Sequence, residues 1–385
     1  MKNFIRVLPI FIAFFCMGFG DVVGPLTSQL QHEFDLSNFM AALVTSAGFI
    51  SFGLFSIPFG IWQDRKTKKY MLSLGLILAL VGLVLPIIGH YSSFALLLIS
   101  IFLLGLGATS LQVSGNPIMR DVSPEGKYSS NLSFGQFVKA IGSLSGALIP
   151  LAAANWFGKD WRMLFPIYAV VIVITLVYLS IIKIEEQKAK KSEPATFSSC
   201  FSLLENRFVL AMVIGIFLYV GAEVCMSAKL PNYLEERFSF DIQKLGLWGT
   251  LFFFIALMTG RFLGGVILRL VKPKTFLLAT VIFSLAGIAG LFAAPSSWIA
   301  FVLIFIIGLG FANVFPLIFS IAVDTLPERT NEISGLMVTA IIGGAVLPLL
   351  FGVVADLTSI TFGFIVPGLC LVYILIVSLS LIQKK

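Results

Sequence analysis

Apolar residues in this chain come in long blocks, neither alternating nor confined to one helical face. Runs of roughly 20 mostly apolar residues, the length that crosses about 30 Å of hydrocarbon, lie near positions 6–30, 38–63, 70–90, 93–119, 131–153 and 163–183. Six more lie near 208–230, 244–270, 275–295, 297–323, 332–355 and 361–382. Between the sixth and seventh runs sits a charged stretch with Ser and Pro, KIEEQKAKKSEPATFSSCFSLLENR. The pattern predicts an all-α membrane protein with twelve transmembrane helices in two six-helix, pseudo-symmetric halves. The expected division is an N-terminal bundle at 1–183, a cytoplasmic linker at 184–206 and a C-terminal bundle at 207–385.

The halves repeat. Gly105-Leu-Gly107 recurs as Gly308-Leu-Gly310, Asp121 as Asp324, and Pro124-Glu125 as Pro327-Glu328. Asp21 in the first span is answered by Glu223 in the seventh, and Ala140-Ile141 in the fifth by Ala340-Ile341 in the eleventh. A period near half the chain implies two parallel copies of one unit, with a substrate site at their interface near the midplane.

Charge then orients the spans. With both termini in the cytoplasm, 19 of the 26 Lys and Arg face that side and 4 face the other, leaving Lys139, Lys229 and Arg261 within spans. The bias follows the positive-inside rule, so the formal charge of +7 is a topology signal and no nucleic-acid partner is expected. Only 12% of residues are charged, against about 25% in soluble domains. The sequence holds no nucleophile–base pair, metal-ligand spacing, phosphate-cradling glycine loop or ATP-binding domain. An enzyme, a cofactor and a metal site are therefore not expected, and the driving force is expected to be an ion gradient or the substrate's own. The four cysteines are scattered without disulfide or metal spacing. His32 and His90 fall in outer loops, and Trp156, Trp161 and Trp298 suit an interfacial belt.

Polar side chains inside lipid-soluble segments carry the chemistry. Gln112 and Asn116 share one face of the fourth span, and Gln136 and Lys139 share one face of the fifth. Asp21 and Glu223 are the acids well inside spans, about fifteen residues and about 22 Å from the cytoplasmic ends. Ionisable groups at such depth face a cavity or a partner charge. Asp21 and Glu223 thus either titrate with a coupled ion or lock helices together through Lys139 and Lys229. Gln112, Asn116 and Gln136 either line the cavity or serve as interhelical glue. Lys229 can snorkel at the outer end of its helix.

Gly60-Ile-Trp-Gln-Asp64-Arg65-Lys66-Thr67-Lys68-Lys69 joins the second and third spans. It resembles the G-x-x-x-D-R-x-G-R-R signature of the major facilitator superfamily, with Thr67 in place of the usual glycine. The implied device is a helix-end glycine, Gly60, followed by an Asp64/Arg65 latch. A degenerate copy, Gly265 to Lys272, follows the eighth span. Within that superfamily the chain resembles the fucose–proton symporter branch. The resembling stretches are Gly20-Asp21 and Pro25, Leu36-Ser-Asn38, Asn116-Pro117, Tyr219-Val-Gly-Ala222, Gly260-Arg261-Phe262, Phe315-Pro316 and Thr339-Ala-Ile-Ile-Gly-Gly344.

The resemblance implies proton-coupled import of a monosaccharide or sugar derivative by alternating access, in a bacterial inner membrane, by a monomer. It makes Asp21 the protonation and substrate-coupling carboxylate, and Gln112, Gln136, Lys139 and Phe315 cavity residues; Glu223 is expected as a second proton-coupling acid, and Asn116, Tyr219 and Asn313 as further substrate residues. Gly60, Asp64, Arg65 and Arg261 become the gate. The family often has Glu at 112, Asn at 139, Gln at 223 and Tyr at 315, departures that point away from fucose itself. If both acids must titrate, Lys139 seeks an anionic partner on the substrate, so an acidic or otherwise polar-substituted sugar is expected in place of fucose. A proton-coupled drug or metabolite antiporter shares the fold, but Gly142-Ser-Leu-Ser-Gly146-Ala-Leu-Ile-Pro150 lacks the Gly-Pro pair of the antiporter signature. Proton is preferred over sodium because the first span offers few oxygen ligands around Asp21.

Overall fold

The computed structural model describes residues 2–22, 26, 30, 33–36, 38–158, 160–184, 186, 195–240 and 247–383. Pro25, His32, Lys159, Lys244 and the basic residues at 188–191 and 384–385 lie outside the described residues. Every regular element described is helical. The first half runs α1 (Lys2–Met17), α2 (Asn38–Arg65), α3 (Lys68–Ile88), α4 (Phe94–Val122), α5 (Tyr128–Phe157) and α6 (Leu164–Ile181). A short α7 (Phe197–Ser202) follows in the linker. The second half runs α8 (Arg207–Phe238), α9 (Leu247–Ile267), α10 (Pro273–Phe292), α11 (Ser297–Phe311), α12 (Val314–Thr325), α13 (Thr330–Thr339), α14 (Gly343–Leu357), α15 (Ile360–Gly363) and α16 (Ile365–Gln383). Nine stretches among the described residues are long and apolar enough to cross a membrane, and Leu8–Asp21 is a shorter apolar one.

Among the described residues the twelfth expected span breaks at Phe364, between α15 and α16, and three others are also interrupted. The first tightens into a 3-10 turn at Gly18–Val22, the tenth breaks between α11 and α12, and the eleventh breaks at the 3-10 turn Ala340–Ile342 between α13 and α14. Helices in lipid break where other groups can take over the freed backbone donors and acceptors. The seventh span runs past the expected end at 230, to Phe238.

The chain forms two compact units. The first comprises residues 1–124, 138–203 and 326–339; the second comprises 125–137, 204–325 and 340–385. The start of α5 therefore belongs to the second unit and α13 to the first. In the first unit α13 packs on α2 and α4. A Cβ on Gly60 of α2 would lie 2.8 Å from Asn331 O, and one on Gly335 of α13 would lie 3.0 Å from Ser56 O. Two glycines at the crossing let the backbones meet.

The internal repeat is visible in a second kind of crossing. A Cβ on Gly142 of α5 would lie 2.1 Å from Phe15 O of α1, and one on Gly343 would lie 2.0 Å from Phe217 O of α8. Phe15 and Phe217, like Gly142 and Gly343, occupy equivalent places in the two halves. Small residues let helices pack closely where lipid supplies no hydrophobic drive to associate. Elsewhere in the first unit, Trp161 is buried and its Nε1–H donates to Glu33 at 2.9 Å. It is a packing residue and not part of an interfacial belt, whereas Trp156 and Trp298 are exposed.

These crossings yield a direct test. Gly142→Ala and Gly343→Ala should each cost about 1–3 kcal/mol by overpacking, measured as a lower melting temperature in detergent. Gly352→Ala, whose added Cβ meets nothing within 4 Å, should leave the melting temperature unchanged or slightly higher, since alanine favours helix over glycine. Equal behaviour of all three variants would contradict the crossing geometry.

Candidate functional site

In the first unit the chemistry gathers where α1 ends. Gly18-Phe-Gly20 allows α1 to tighten into the 3-10 turn that carries Asp21; a Cβ on Gly18 would lie 2.3 Å from Lys139 O. On α5, Lys139 and Ser143 are four residues apart and share a face. Lys139 Nζ lies 3.1 Å from Asp21 Oδ2, and Ser143 Oγ donates to the same oxygen at 2.6 Å. The Asp21 side chain is 44% exposed and that of Lys139 16%, so the carboxylate is the open member of the pair. Asp21 is thus the partner that Lys139 requires.

Gln112 and Asn116 are buried on α4. Gly20 meets Ala108 of that helix, one turn before Gln112. Gln136 is buried on the part of α5 that belongs to the second unit.

The second unit holds a different pair. Arg261 Nη2 of α9 lies 3.4 Å from Glu223 Oε1 of α8, and both side chains are largely buried. Arg261 Nε also donates to Ala312 O at 3.4 Å. Around the same break, Tyr219 OH donates to Phe311 O at 3.0 Å and Asn313 Nδ2 to Gly260 O at 2.7 Å. Tyr219 and Asn313 are almost wholly buried, and Phe315 is buried with its ring centre 5.9 Å from that of Phe319. Five of the residues singled out from the sequence (Tyr219, Glu223, Arg261, Asn313 and Phe315) therefore cluster at one interruption between α11 and α12.

At the basic end of the first unit, Asp64 does not latch onto Arg65, which is exposed. Its Oδ1 accepts from Asn331 Nδ2 at 2.8 Å and its Oδ2 from Ala195 N–H at 2.7 Å. Gln63 Nε2 donates to Asn331 Oδ1 at 2.7 Å. From Ala195 the chain enters α7, where Ser199 Oγ donates to the buried Glu332 at 2.6 Å. Arg329 bonds both Glu332 Oε2 and Ser199 O, each at 2.7 Å. Thr67, standing where the motif has glycine, caps α3 by accepting from Tyr70 N–H at 3.0 Å. Glu186 accepts from the N–H groups of Lys68 and Lys69, a carboxylate placed at a helix start. Lys68 Nζ and Asp121 form a buried pair at 2.5 Å.

Sequence reasoning missed Asn331, Ser199 and Glu332. The available signal was the repeated Pro-Glu at 124 and 327, which marks the loop just before Asn331.

Charge pairs within long apolar helices that repeat at half the chain are the mark of a multi-pass membrane protein. The Major Facilitator Superfamily model matches residues 10–341 and again 212–384, and the chain belongs to that family. It is 29% identical over 379 residues to a glucose/galactose transporter of Brucella abortus biovar 1 (strain 9-941), covering 94% of this chain and 90% of that protein. It is 26% identical to the L-fucose-proton symporter of Haemophilus influenzae (strain ATCC 51907 / DSM 11121 / KW20 / Rd), with 97% and 96% covered. A crystal structure of the Major Facilitator Superfamily transporter FucP in the outward conformation superposes with a TM-score of 0.87 at 21% identity, covering 99% of each chain.

The Asp64 junction can be read through Cys200, which is fully buried on α7. In a chain retaining Cys200 as its sole cysteine, Asp64→Ala should speed maleimide labelling about tenfold, the factor that about 1.4 kcal/mol of lost anchoring gives. An unchanged labelling rate would show that α7 does not depend on Asp64.

Proposed function

We propose that this chain is a secondary active, proton-coupled symporter that imports a neutral hexose by alternating access. The bundles at 1–183 and 207–385, joined by the 184–206 linker, are its moving parts. It works in a bacterial inner membrane with both termini in the cytoplasm, as a single chain, with the proton gradient as driving force and no cofactor. The observation that carries the reading is the Asp21–Lys139–Ser143 cluster. It is a partly open carboxylate whose charge is already matched within its own unit, so the site needs no charge from the solute. A proton on Asp21 removes the attraction that holds Lys139, and the freed ammonium and Ser143 hydroxyl can then donate to sugar hydroxyls. Deprotonation restores the pair and releases those donors from the sugar.

Gln112 and Asn116 are the further substrate residues of the first unit, and Gln136 and Phe315 are substrate residues of the second. Tyr219 and Asn313 act on the sugar through the shape of the α11–α12 break, since their donors are engaged with backbone carbonyls. Glu223 is the second coupling acid. Gly60, Asp64 and Arg65 form the cytoplasmic gate, with Arg261 acting at the break.

The names of the relatives support a sugar over a drug, and glucose and galactose are neutral hexoses. A proton-coupled drug or metabolite antiporter of the same fold is the alternative reading, and drug resistance is in the name of one relative, the fosmidomycin resistance protein of Escherichia coli (strain K12), 27% identical over 336 residues. That reading lacks the Gly-Pro pair in α5.

Purified protein in proteoliposomes should accumulate glucose or galactose when the outside is acidic, and should not accumulate uronates. Asp21→Asn, a permanent mimic of the protonated acid, should abolish accumulation while retaining hexose exchange. An Asp21→Asn carrier that still concentrates hexose on a proton gradient would remove Asp21 from the coupling step.

A further inference from the structure

The break between α11 and α12 poses a backbone problem that the chain solves with a side chain. Pro316 has no N–H, so the carbonyl four residues before it, Ala312 O, has no helical donor. Ala312 is fully buried, and an unbonded carbonyl inside a membrane helix costs free energy. The helix resumes at once: Leu317 N–H reaches Asn313 O at 3.0 Å. The group that does meet Ala312 O is Arg261 Nε at 3.4 Å, while Arg261 Nη2 faces Glu223 at 3.4 Å. The preceding carbonyl, Phe311 O, is met by Tyr219 OH. Two side chains from α8 and α9 thus cap consecutive carbonyls at the C-terminus of α11, where a cation is also favoured by the helix dipole. Arginine suits the task because its planar fork can serve a carbonyl and a carboxylate at once.

We propose that Arg261 is a positioning residue that stands in for the N–H missing at Pro316, and so ties the geometry of the Asn313–Phe315 segment to Glu223. One edge of the guanidinium holds the break and another holds the acid. A change of partner at Glu223, by a proton or by a solute hydroxyl, is therefore felt at Phe315 through Arg261.

The test is a rescue. Arg261→Met removes the surrogate donor, and pairing it with Glu223→Gln avoids leaving an unmatched carboxylate. Adding Pro316→Ala restores a backbone N–H aimed at Ala312 O. In detergent, Glu223→Gln/Arg261→Met should melt below Glu223→Gln alone, and the triple variant should melt above the double. In hexose exchange across proteoliposomes, the KM of the double variant should rise about tenfold over Glu223→Gln, and the triple should return to within about threefold. Arg261→Lys retains a cation for Glu223 but lacks the fork, so it should raise KM with little loss of melting temperature.

A triple variant no more stable than the double would overturn Arg261 as the surrogate donor. Recovered stability with KM left high would overturn its positioning role. The KM arm rests on the transport reading given above. If the wild-type chain exchanges no hexose, that reading fails, while the melting comparison still decides the donor.

Discussion

A charge held where water cannot solvate it must be matched within a few ångströms, or the chain does not fold around it. The two deep carboxylates obey this in different ways. Asp21 takes its cation from α5, Lys139, and adds the Ser143 hydroxyl. Glu223 takes its cation from α9, Arg261, which is shared with a backbone carbonyl. The acids are equivalent by the half-chain repeat, but the cations are not. The first acid is open and can exchange its partner; the second is bound into the shape of a helix break.

The interruptions follow from the same constraint. Inside lipid every carbonyl needs a donor, so a helix can break only where side chains stand ready. Tyr219 and Arg261 stand ready at Phe311 and Ala312. Glycines at helix crossings make such reach possible by bringing backbones together: Gly142 against Phe15 in one unit, Gly343 against Phe217 in the other. At the basic end, Asp64 joins the start of α13 to the linker through Asn331 and Ala195. The motif that holds Asp64 is thus a junction of three segments in this structure.

Much of this was legible before any coordinates. Blocks of apolar residues, the bias of basic residues and the recurrence of Gly105-Leu-Gly107 two hundred residues later established the membrane class, the helical spans and the duplication. Asp21, Lys139, Glu223 and Arg261 stood out because charge is costly in such segments. That Lys139 belongs to Asp21, and Arg261 to both Glu223 and Ala312, was not legible. Nor was the donation of α13 to the first unit, or the role of Asn331 and Ser199.

The reason is physical. Partition into a bilayer is a property of each segment taken alone, summed along about 20 residues, and a linear sequence states it directly. Pairing depends on how each helix is rotated and how closely it crosses its neighbour. Those are decided by glycines such as Gly18 and Gly142 and by breaks such as that at Pro316, whose effect exists only once the partner helix is in place. The sequence by itself determined which residues had to find partners; the tertiary structure alone decided which partners they found.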